Sequence, residues 1–224
     1  MMTNLFSAFD PATSIKMSLN WMSTLLGMII IPYSFWILPN RVMIMFWMIN
    51  EKLHKEFKTL MSSNQKGMTL MMVSLFLLIL MNNLLGLMPY IFTSSSHLVF
   101  SLSLSAPLWL SMMIFGWIKN TKMMFAHMIP SGTPMMLMPF MVMIETISNI
   151  IRPGSLAVRL TANMIAGHLL MSLLGNKSLN VNSMLLIIII IIQIMLMMFE
   201  TAVAIIQAYV FSILSTLYSS EVMN

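Results

Sequence analysis

The chain has 224 residues, 59% of them hydrophobic and only 8% charged, where soluble domains carry about 25% charged residues. That composition excludes a solvated surface and predicts one integral membrane domain, residues 1–224, with five or six helical spans; the apolar runs are continuous rather than alternating, which argues against a β-barrel. The net charge of +5 raises nucleic acid as a partner, but Lys and Arg are spread over connecting loops without a dense basic patch, so no nucleic-acid role is expected.

In chain order, the first ten residues, Met-Met-Thr-Asn-Leu-Phe-Ser-Ala-Phe-Asp, hold no cationic stretch and end on Asp10. No cleavable signal or Arg-rich transit peptide is therefore expected, and a mitochondrial location would require synthesis inside the organelle. Met17 to Asn40 is free of charge and long enough to span. Arg41 to Lys66 holds five cations and two carboxylates, with Leu53, Phe57 and Leu60 at helical spacing among them. That pattern predicts an amphipathic segment along the membrane surface. Gly67 to Phe92 is a second span, Thr93 to His97 a turn, and Leu98 to Ile118 a third span with Pro107 as a candidate kink. Lys119 to Pro130 reads as a polar loop.

From Thr133 the pattern changes. Pro134 to Gly175 carries only Glu145, Arg152, Arg159 and His168 as ionisable groups. A continuous helix of that length would be about 60 Å long, twice the hydrocarbon thickness. It must break near Pro153-Gly154 or tilt steeply. Gly175 to Ser178 reads as the next turn, and Val181 to Tyr218 as another long apolar run with Glu200 as its one charge. Residues 133–219 thus predict a tilted helical hairpin. With the N-terminus outside, the inside loops 41–66 and 119–130 carry seven Lys and Arg, and the outside segments carry Lys16 and Lys177. The positive-inside bias then places the C-terminus inside. Thirty-one methionines substitute for Leu and Ile in lipid-facing positions. With no cysteine in the chain, disulfides and thiolate metal sites are excluded; no metal or cofactor is expected.

Arg159 is the residue of most consequence. Its guanidinium stays charged at any physiological pH, and a cation at membrane depth costs about 2.5–3.5 kcal/mol on insertion scales. Such a residue faces protein or water and is functional by default. Glu145, Arg152 and Arg159 recur every seven residues and share one helical face if the helix passes Pro153; Asn163 joins them, and His168 lies opposite. Gln193, Glu200 and Gln207 form a second heptad stripe. Two such stripes on adjacent helices can line one aqueous crevice. Carboxyl and imidazole groups exchange protons and Arg159 does not, so titrating groups split by Arg159 make two half-paths with a barrier between them. The driving force is about 2.3 kcal/mol per charge per 100 mV. The competing reading pairs Arg159 with Glu145 or Glu200 for packing alone. Arg152 either snorkels to an interface or lines the path. Asn82, Asn83, Asn149, Gln193 and Gln207 read first as interhelical hydrogen-bond partners, and His54, His97 and His127 receive no role.

Arg-Leu-Thr-Ala-Asn-Met-Ile-Ala-Gly-His at 159–168 resembles the signature of the F-type ATP synthase subunit a family. So do the segments 83–90, 138–148 and 200–211, and the likeness covers essentially the whole chain, closest to the mitochondrially encoded arthropod form. The methionine excess fits that form, in which AUA is read as Met. The resemblance implies an all-α subunit whose final hairpin lies against a ring of c subunits, with other membrane and peripheral-stalk subunits of the Fo sector as partners. Arg159 would face the ring and keep each passing carboxylate ionised. His168 and Glu200 would belong to the inlet from the intermembrane space, Glu145 to the outlet toward the matrix, and Asn163 and Gln207 to polar positions near the arginine. The implied location is the mitochondrial inner membrane, with the C-terminus toward the matrix. Such a subunit conducts protons and makes no bonds itself; the phosphate loop Gly-x-x-x-x-Gly-Lys-Ser/Thr does not occur. A self-contained anion transporter is the alternative, although the two halves look unrelated; a non-conducting assembly scaffold is another.

Overall fold

The computed structural model describes residues 5–14, 17–32, 36–61, 67–129, 132, 134–178 and 182–223. Lys16, residues 62–66, Thr133 and Val181, which the sequence reading includes, lie outside that set. Among the described residues seven α-helices follow one another: α1 (Ser23–Ile30), α2 (Arg41–Leu60), α3 (Met68–Gly86), α4 (Leu98–Lys119), α5 (Thr121–His127), α6 (Met138–Ser178) and α7 (Ser183–Met223). Short 3-10 turns precede α1, α4 and α6, and another spans Leu5–Phe9. Four helices, α3, α4, α6 and α7, are long and apolar enough to cross a membrane.

The charge-free stretch 17–40 yields less helix than its composition predicts. Among its described residues, Leu19–Ile30 is the helical part, because Pro32 follows and a residue before proline is pushed to extended backbone. Ile31 takes φ −62° and ψ 124°. The surface segment forms α2, with Leu53 and Phe57 buried and Leu60 left 37% exposed. The predicted polar loop 119–130 contains the helix α5, pinned to α4 by Phe125 edge-on to Trp117 at 5.0 Å. The turn expected at Gly175 to Ser178 is still helix.

Of the two alternatives for the long segment, continuity holds. Helix α6 runs through Pro153 without a break for 41 residues, and α7 has the same length. Each is about 60 Å long, and such a rod fits a hydrocarbon layer of about 30 Å only when it lies about 60° from the normal. Helix α7 has two characters. Its second half carries small residues, Ala204, Ala208, Ser212, Ser215 and Ser219, all buried. They let neighbouring backbones approach closely. Each of these serines donates to a carbonyl three residues back in its own helix, so their hydroxyls are satisfied despite burial. The first half exposes Ile187, Ile188, Ile191, Met195 and Phe199. The main core joins α2, α3, α4, α6 and α7 around Phe57, Met72, Ile79, Leu160 and Phe211.

Candidate functional site

The antiparallel pairing of α6 and α7 sets Gln193 and Glu200 of the second stripe against glycines of α6 and brings Glu221 of α7 to Arg152 of the first, while Arg159 stays exposed. Opposite Gln193 and Glu200 of α7, α6 offers a glycine. A Cβ on Gly175 would meet Gln193 Nε2 at 3.9 Å, and a Cβ on Gly167 would overlap the Glu200 carboxylate outright. Small residues at a membrane helix crossing permit such an approach. Glu200 is thereby buried, at 8% exposure, and its Oε1 has no hydrogen-bond partner among the described residues. His168 Nε2, on the next residue of α6, is likewise buried and unpartnered. Buried polar atoms are almost always satisfied, and exceptions point to function or to water.

A cavity of about 480 Å³ gathers Asn163, His168, Glu200 and Gln207. An open cleft of about 730 Å³ continues from His168 and Glu200 past Pro89 and Tyr90 to Asp10. Four of the seven site residues expected from the sequence therefore sit together. Asn163 is grouped with His168 as well as lying one turn from Arg159, because the cavity wraps around α6.

A separate cavity of about 300 Å³ lies toward the other end of the hairpin, lined by Glu145, Asn149, Arg152, Glu221 and His127. Arg152 ties it together. Its Nη1 donates to Glu221 Oε2 at 2.8 Å, its Nη2 donates to Glu145 Oε1 at 3.3 Å, and its guanidinium lies 5.2 Å from the Tyr218 ring centre. Both ion pairs are partly exposed. The sequence reading passed over Glu221, although it stands three heptads beyond Glu200; Leu214 interrupts the stripe between them. It also left out His127, which sits at the mouth of this cavity, and Gly167.

Arg159 belongs to neither cavity. Seven residues separate it from Arg152 and nine from His168, about 10 and 13 Å along the helix. It is exposed on an apolar face of α6 that includes Ile151, Val158, Ala162 and Leu170. Among the described residues its guanidinium has no ion pair and no hydrogen-bond acceptor. Glu145 is engaged by Arg152, and Glu200 points into the α6–α7 seam. The packing-only pairing of Arg159 with either carboxylate is thus not what this fold forms.

The asparagines expected to join helices divide. Asn83 is fully buried on α3 and donates to the Ala204 carbonyl of α7 at 3.4 Å, whereas Asn82 donates within its own helix to Leu78 at 3.0 Å.

Residues 16–220 match a family described as the ATP synthase A chain. ATP synthase subunit a of Anopheles quadrimaculatus is 63% identical over 225 residues, which cover 99% of this chain and all of that protein. The corresponding proteins of Aedes aegypti and Drosophila melanogaster are 64% and 60% identical, again over 99% of this chain and all of theirs.

Proposed function

The chain belongs to the ATP synthase A chain family, and on that premise we propose that Arg159 separates two proton half-paths built around the hairpin 133–219 of a single membrane domain. As a member of that family the chain is a proton-translocating stator subunit of an F-type ATP synthase. It spans the membrane several times and assembles with the other subunits of that synthase.

The observation that carries the reading is the arrangement along α6. One cavity holds His168 and Glu200, another holds Glu145 and Glu221, and the exposed, unpaired Arg159 stands between them. We assign the first to the inlet and the second to the outlet, with Asn163 and Gln207 lining the inlet near Arg159 and Arg152 bridging the outlet carboxylates. A proton loaded at His168 or Glu200 cannot hop through Arg159, because a guanidinium gives up no proton. It must leave the chain on another carrier and return beyond the arginine. That carrier is a carboxylate on a rotating ring of c subunits, laid against the apolar face around Arg159. Arg159 lowers the cost of ionising that carboxylate as it passes from one cavity to the other.

The location we assign is the mitochondrial inner membrane, with the N-terminus toward the intermembrane space and the C-terminus toward the matrix. The cation bias of loops 41–66 and 119–130 supports this orientation. In the intact synthase, Arg159→Ala is expected to abolish ATP-coupled proton pumping while the complex still assembles. Pumping assays on purified complex check this; retained coupling would overturn the barrier role, and failed assembly would favour a scaffold.

A further inference from the structure

We propose that the N-terminal segment Leu5–Ala12 walls the outer mouth of the His168–Glu200 cleft and that Asp10 is its proton-collecting group. The proposal rests on the reading of His168 and Glu200 as inlet residues. Four ionisable side chains line the cleft: Asp10 and Tyr90 at its rim, and His168 and Glu200 at its inner end.

The segment is fastened in place at two consecutive carbonyls. Leu5–Phe9 forms a 3-10 turn, and the Phe9 ring stands edge-on to the His168 imidazole at 6.2 Å. His97 Nε2 lies 2.9 Å from the Phe9 carbonyl oxygen, which can only accept, so the imidazole donates there. That imidazole is stacked on Phe92 at 5.2 Å and packed against Trp21 at 5.4 Å. One residue on, Asn20 Nδ2 donates to the Asp10 carbonyl at 3.3 Å. The Asp10 side chain accepts from Ala12 N–H at 3.0 Å and is exposed to solvent. A local turn alone would explain that last bond. It does not explain why the turn is held by His97 and Asn20 over a cleft that ends on two buried, unpartnered ionisable atoms.

A collecting carboxylate suits the kinetics of proton supply. At a diffusion limit of roughly 10⁹–10¹⁰ M⁻¹s⁻¹, protons at about 10⁻⁷ M arrive roughly 100 to 1,000 times per second, in the range of enzyme turnover. A fixed negative charge at the mouth raises that rate by about tenfold or more. Asp10 takes a proton from hydronium or buffer, passes it along water in the cleft to His168 or Glu200, and returns to its ionised form. His97 is then a positioning residue, acting on the segment and not on the proton.

The test is passive proton flux through intact synthase in liposomes, measured from the inlet side in weakly and strongly buffered media. Asp10→Asn is expected to slow flux three- to tenfold in weak buffer and to recover with added imidazole buffer, while Asp10→Glu recovers the flux without it. His97→Ala is expected to give the same buffer-dependent defect in an assembled complex. Flux in Asp10→Asn equal to wild type at every buffer concentration, alongside slow flux in Glu200→Gln, overturns the collecting role and leaves the inlet reading intact. A defect that added buffer does not relieve also overturns it, since damage to the fold is not repaired by imidazole. Unchanged flux in Glu200→Gln overturns the inlet reading and this proposal with it.

Discussion

Gly167 decides where Glu200 can be. The carboxylate occupies the volume a Cβ would take, so the glycine is needed for close approach rather than for backbone freedom; it sits inside a regular helix. Gly167→Ala must push Glu200 away from the seam or separate α6 from α7. We expect passive proton flux to fall about tenfold with the complex assembled, and Gly167→Val to be worse. Flux assays on the two variants check the order, and an alanine variant with wild-type flux would show that Glu200 tolerates displacement. At this scale the sequence was informative where spacing was regular. The heptads 145, 152, 159 and 193, 200, 207 marked Arg152, Gln193 and Glu200, which meet the other helix across the seam, because seven residues return a helix to nearly the same face. The Arg152–Glu221 contact at 2.8 Å was not legible. It depends on how far α7 runs before it passes Arg152, which only the crossing of the two helices determines. Gly167 was hidden for the same reason, since a glycine in sequence does not say what lies opposite it.

Helix α6 keeps its hydrogen-bonded course through Pro153, at the loss of the bond that residue 153 would donate to the Asn149 carbonyl. A proline in a helix interior costs about 3 kcal/mol, and the helix forms regardless because the turns that follow it are packed, Leu156 and Leu160 against the main core. Pro153→Ala is therefore expected to leave the thermal midpoint of the complex unchanged or raised and to preserve coupled pumping. A calorimetric scan together with a pumping assay checks both, and lost coupling in a stable variant would mean that Pro153 itself positions Arg159. Element boundaries were the least legible part of the sequence. Apolar content between 17 and 40 suggested a full span, yet Pro32 ends the helix after Ile30. A polar composition between 119 and 130 suggested a loop, yet Thr121–His127 coils into a helix against α4. In the second half of α7, Ala204, Ala208, Ser212, Ser215 and Ser219 bury a narrow stripe, and window averages of hydropathy are blind to residue size.

The molecule as a whole is electrostatically incomplete. Its membrane hairpin holds three carboxylates that could meet a cation. Two of them, Glu145 and Glu221, are taken by Arg152, and the third, Glu200, is buried in the seam on the far side of Gly167. Arg159 is left exposed among Ile151, Val158 and Ala162, on a face that in lipid would be costly for a cation. On the proposed function, the charge that balances it comes from outside the chain and leaves again. A carboxylate supplied permanently in cis should therefore disable the subunit. Ala162 is exposed and three residues beyond Arg159, so the two positions are neighbours on the helix surface. An aspartate there can pair with the guanidinium in cis, as oppositely charged side chains three residues apart on a helix do. A passing carboxylate would have to displace it. Ala162→Asp is expected to cut ATP-coupled pumping at least tenfold in an assembled complex, while Ala162→Asn, nearly the same size but neutral, retains most of it. Pumping rates of the two variants measured side by side decide the matter. Equal loss in both would trace the effect to bulk on the exposed face around Arg159, and equal retention would mean that Arg159 does not need an unpaired charge.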